Sequence, residues 1–150
     1  VVDYVRDFYC NARRQSARLG EDGYAPAREL AVWKEKIRKH WSQVSITRID
    51  QGVEQIQDGE FLPVRVSASL DGLSAKDVAV ECLVGEITDS GKFAVHERFL
   101  FEYTGDQNGE YIYELNLKPT KPGLNHYKMR MYPYHERLSH PFELGYMLWV

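Results

Sequence analysis

The hydrophobic spacing of this chain changes near Val44, and that change constrains the fold more than any other feature. Before it, apolar residues recur at steps of three and four; after it, they alternate. The first spacing puts side chains on one face of a helix, the second on one face of a strand. Leu30, Trp33, Ile37, Trp41 and Val44 make the clearest helical stripe. Pro26 stands where a first turn begins and its missing N–H costs nothing. Glu29 near the start and Lys36, Arg38, Lys39 and His40 near the end complement the helix dipole. The spacing predicts a helix over Pro26–Ser42. Val1, Tyr4, Val5, Phe8 and Ala12 form an earlier stripe and predict another, with Gly20-Glu21-Asp22-Gly23 as the break between them.

The alternating part begins with a short segment, Val44–Ile49, followed by Leu62, Val64, Val66, Ala68 and Leu70. Asp71-Gly72 marks a turn. Val78, Val80, Cys82 and Val84 alternate again, up to Thr88-Asp89-Ser90-Gly91. Phe99, Phe101 and Tyr103 read as one strand face, and Asp106-Gln107-Asn108-Gly109 as a hairpin turn. Tyr111, Tyr113, Leu115 and Leu117 follow, then Tyr127, Met129 and Met131, and a closing strand over Leu144–Val150. About seven strands with frequent turns point to a β-sandwich. The expected architecture is mainly β: an immunoglobulin-like antiparallel sandwich over residues 44–150, preceded by two α-helices in residues 1–43. The stripe with two Trp must pack on that sandwich or on another domain; both remain open at this level.

Composition excludes several function classes. With 43% apolar and 27% charged residues in 150, the chain is ordinary globular material. A net charge of −3 argues against a nucleic-acid partner, which normally meets a basic excess. No apolar run approaches the ~18 residues of a membrane span. Cys10 and Cys82 lie in different segments and read as buried reduced thiols, which fits a cytoplasmic location. The chain starts at Val1 in mid-pattern, as the C-terminal piece of something longer would.

Catalytic signatures do not assemble. Gly85–Lys92 has glycines one residue too far apart for a phosphate loop, and Phe93 stands where a magnesium-binding hydroxyl belongs, so it reads as a hairpin turn. His135 and His140 are five apart, whereas two helical metal ligands need a spacing of four; between Pro133 and Pro141 they read as a loop. No catalytic, cofactor-binding or metal-binding residue is assigned. Exposed aromatic rings can stack on sugars, and Tyr132, Tyr134 and Trp149 are the candidates for that.

Five stretches then resemble a known family. Val2-Asp3-Tyr4-Val5 with Phe8-Tyr9, and Ala27-Arg28-Glu29-Leu30-Ala31-Val32-Trp33-Lys34 with Ile37-Arg38 and Trp41, resemble helices of bacterial and archaeal α-glucan phosphorylases. Gly109-Glu110-Tyr111-Ile112-Tyr113, Pro122-Gly123 and Pro141-Phe142-Glu143-Leu144-Gly145 with Trp149 are similar to their C-terminal extension. The resemblance implies a parent glycosyltransferase that cleaves α-1,4-glucans with orthophosphate to glucose 1-phosphate. Pyridoxal phosphate would sit on a lysine outside these residues; Lys34, Lys36 and Lys92 match no such motif. The chain itself is then expected to be inactive. Its favoured role is structural or oligomer-forming, its first partner being the catalytic domains of the same polypeptide, through Tyr4, Phe8, Trp33, Ile37 and Trp41. A glucan-binding module is the alternative, with an unrelated adaptor domain or an enzyme with an unrecognised site behind it.

Overall fold

The computed structural model describes residues 24–52 and 59–150. The expected first helix, with Tyr4, Phe8 and Cys10, lies outside the described residues. One α-helix is present among the described residues: α1, Ala25–His40, which tightens into a 3-10 turn at Trp41–Gln43. Pro26 lies in its first turn, and Arg38, Lys39 and His40 fill its last.

Eight strands follow among the described residues: β1 (Ser45–Arg48), β2 (Leu62–Ser69), β3 (Val78–Ile87), β4 (Phe93–Leu100), β5 (Glu102–Gln107), β6 (Glu110–Leu117), β7 (His126–Pro133) and β8 (Leu148–Trp149). They form two antiparallel sheets, ordered β1-β2-β6-β5 and β4-β3-β7-β8. The chain crosses between sheets three times, from β2 to β3, β4 to β5 and β6 to β7. The expected turns lie in place. Asp71 and Gly72 both take positive φ (45° and 87°), as do Asn108 and Gly109 (53° and 82°) in the β5–β6 hairpin. A two-residue hairpin loop needs that left-handed backbone, which Asn and Gly supply at little cost.

Two strand expectations require correction. Phe99, Phe101 and Tyr103 do not share a strand: β4 ends at Leu100 and β5 starts at Glu102, in the other sheet. Phe101 sits at the crossing. Its side chain is buried in the core, and its N–H donates to the Val80 carbonyl at 2.9 Å. The closing strand shrinks to Leu148–Trp149, because Pro141–Gly145 forms turns instead. There, Glu143 N–H donates to His140 O, Gly145 N–H to Phe142 O, and Gly145 takes a φ of 71°.

A single cluster of buried side chains draws on both sheets and on the helix. Val64, Val66 and Ala68 of β2, Val80, Cys82 and Val84 of β3, and Met129 and Met131 of β7 belong to it, as do Leu30, Trp33, Ile37 and Trp41. The helical stripe therefore packs on the strands. Each large side chain buried in this way contributes roughly 1.5–3 kcal/mol. Arg48 of β1 ties the sheets together from outside the core: it donates to Asp50 and, at 2.7 Å, to the Tyr127 hydroxyl on β7.

Candidate functional site

The inner face of α1 meets two connections, Leu70–Asp77 between β2 and β3, and Tyr134–Met147 between β7 and β8. Asp77 organises the junction. Its Oδ1 accepts from the Trp33 indole N–H at 3.0 Å, and its Oδ2 accepts from Lys36 Nζ at 2.8 Å. The same Oδ2 accepts from Ser74 N–H (2.8 Å) and Ser74 Oγ–H (2.9 Å), and the Asp77 carbonyl accepts from Tyr134 N–H at 2.9 Å. Burial pushes the Asp77 carboxyl pKa up, but the Lys36 ammonium and the donors of Ser74 and Trp33 outweigh it, so it lies below its ordinary value. Lys34–Glu143 and Arg137–Glu29 ion pairs, together with the Trp33 ring 5.0 Å from that of His135, hold the second connection against the helix.

Beside this junction opens a cleft of about 770 Å³, between α1, the end of the first connection and the start of the second. Val32, Trp33 and Tyr134 supply its apolar wall. Arg28, Lys36 and Lys76 are balanced around it by Glu29, Asp77 and Glu136, with His135 alongside. Its volume falls within the roughly 300–1,000 Å³ of small-ligand sites.

The aromatic candidates do not converge on one surface. Tyr134 is 45% exposed and lines the cleft. Tyr132 is buried, its ring edge-on to Phe142 at 5.0 Å and its hydroxyl donating to Glu81 at 3.4 Å. Trp149 is 53% exposed on β8. Tyr132 and Trp149 both lie against the Arg130 guanidinium, at 5.8 and 5.5 Å from its carbon, with Phe142 at 4.5 Å. That guanidinium pairs with Glu81 across β3 and β7, and both residues are buried. Trp33, Ile37 and Trp41 sit in the chain's own core, with Trp41 stacked on Tyr146 at 5.8 Å. Among the described residues, no group of three His, Cys, Asp or Glu side chains is placed to hold a metal ion. No helix among them is long and apolar enough to cross a membrane.

Sequence reading missed Asp77 and Val32. Ser74-Ala75-Lys76-Asp77 has the S-x-x-D pattern of a helix-start box, and that signal pointed to Asp77. Val32 is an apolar residue off the helical stripe, which marks a second face with its own use.

Among the described residues, two antiparallel sheets sharing a core with one helix define a mainly β domain. The family described as glycogen phosphorylase C-terminal domain matches residues 41–150, and the chain belongs to it. It is 35% identical to maltodextrin phosphorylase of Thermococcus litoralis over 155 residues, covering 99% of this chain and 18% of that protein. It is 28% identical to glycogen phosphorylases of Mycobacterium bovis and Mycobacterium tuberculosis over 149 residues, covering 97% of this chain and 17% of each. The chain thus corresponds to the C-terminal part of these relatives and spans less than a fifth of their length.

Proposed function

We propose that this chain is the non-catalytic C-terminal domain of an α-glucan phosphorylase and serves as a structural or oligomer-contact element. The complete enzyme phosphorolyses α-1,4-glucans to glucose 1-phosphate in the cytoplasm, and the two sheets form an immunoglobulin-like sandwich. The observation that carries the reading is the family match over residues 41–150. The use of the polar side chains supports the structural role. Asp77 joins α1 to two connections, Glu81–Arg130 joins β3 to β7, and Arg48 joins β1 to β7.

Pyridoxal phosphate belongs to the upstream part under this reading. The lysines named above do not fit it: Lys34 is paired with Glu143, Lys36 with Asp77, and Lys92 sits in an exposed hairpin turn.

Expression of the complete reading frame, with and without residues 24–150, tests the proposal. Phosphate-dependent release of glucose 1-phosphate from maltoheptaose by the complete protein is expected, with truncation lowering its thermal stability or changing its assembly. A reading frame without an upstream catalytic part, or equal activity, stability and assembly after truncation, would sink it.

A further inference from the structure

The cleft beside α1 has the features of a contact surface that no described residue fills. Val32 is 71% exposed on α1, and Tyr134, 45% exposed, faces the same cleft. Trp33 lies beneath, buried and hydrogen-bonded to Asp77. Exposed Lys76 and Glu136 stand at the margin without an ion-pair partner among the described residues. An apolar patch rimmed by charges of both signs marks a macromolecular interface more than a site for a small anion.

We propose that this cleft docks the upstream part of the same polypeptide, resting on the function proposed above. One observation selects that occupant. More than four-fifths of each relative's length lies outside the match, and this family is the C-terminal domain, so that length lies upstream. A covalently joined neighbour is held at high effective concentration, so a modest interdomain contact suffices. The docked surface is apolar opposite Val32 and Tyr134, with a carboxylate facing Lys76 and a cation facing Glu136.

Cysteine footprinting of the complete protein tests this. Val32→Cys and Tyr134→Cys are made separately, with Leu124→Cys as an exposed reference, Leu124 being 83% exposed. Maleimide labelling is mapped by mass spectrometry under native conditions and in urea. The expected result is labelling of both cleft sites at least an order of magnitude more slowly than position 124 in the native protein, and equal rates in urea. Either site suffices if the other variant fails to fold. Labelling as fast as at position 124 overturns the docking while leaving the phosphorylase reading intact. Protection that vanishes on dilution assigns the cleft to a second copy and overturns the proposal. So does protection that appears only with added maltoheptaose. Absence of any upstream catalytic part would instead defeat the underlying functional reading.

Discussion

Replacing Asp77 with Ala removes the acceptor that ties α1 to the strands. The Trp33 N–H, buried and 3.0 Å from Oδ1, loses its partner, at a cost of about 1–3 kcal/mol. Ser74 loses both of its bonds to Oδ2, a cap-like loss of about 0.5–2 kcal/mol. Lys36 contributes little, about 0–1 kcal/mol, because its side chain is partly exposed and its ammonium returns to water. The expected total is about 1.5–6 kcal/mol, a fall in Tm of roughly 3–24 °C for a chain of this size. Urea unfolding followed by tryptophan fluorescence measures it, with an unchanged m-value expected. Asp77→Asn keeps an acceptor for Trp33 and separates the charge from the hydrogen bond. The folded pKa of Asp77 lies below its ordinary 3.8, so its ionic contribution is present above that value and lost as pH falls through the folded pKa. Asp77→Asn lacks this increment of acid sensitivity. A loss under about 0.5 kcal/mol for Asp77→Ala, the scale of an ordinary surface change, would refute the junction argument.

Three further outcomes concern other parts of the fold. Gly85→Ala puts a Cβ 2.2 Å from the Ala94 carbonyl oxygen at a bulge between β3 and β4; it should cost at least about 1–3 kcal/mol in the same urea assay, and a neutral result would mean the bulge is not rigid. Arg130→Met strands the buried Glu81 carboxylate and should cost about 3–5 kcal/mol, whereas adding Glu81→Leu should recover most of it; a double variant as unstable as the single would refute the charge argument. Burial pushes the Cys82 thiol up to about 12, so iodoacetamide at about pH 8 should leave it unmodified in the native protein and alkylate it in urea, as read by peptide mass.

Much of this fold was legible in local pattern. The stripe Leu30–Trp33–Ile37–Trp41 located α1 and its buried face, because a helix repeats every 3.6 residues wherever it lies. Asp71-Gly72 and Asn108-Gly109 located turns, because positive φ is a cost settled within one or two residues. Alternation marked the inward faces of β2, β3 and β7. The family too was readable, from Glu29-Leu30-Ala31 with Trp33-Lys34 and Trp41, and the match over residues 41–150 together with the relatives aligned over 97–99% of the chain bears it out.

What sequence alone left undecided depends on which distant segments meet. The run through Phe99, Phe101 and Tyr103 looks like one strand, yet Phe101 enters the core where the chain leaves one sheet for the other. Period-2 spacing is the same on both sides of such a crossing, so only the pairing partners reveal it. Whether the Trp33–Trp41 stripe met the strands or another domain was likewise open, since a stripe specifies that it must be buried and not against what. The polar residues that organise the structure, Asp77 with Trp33 and Glu81 with Arg130, are 44 and 49 positions apart. Their burial follows from strand register and helix docking, which exist only once the whole core has formed.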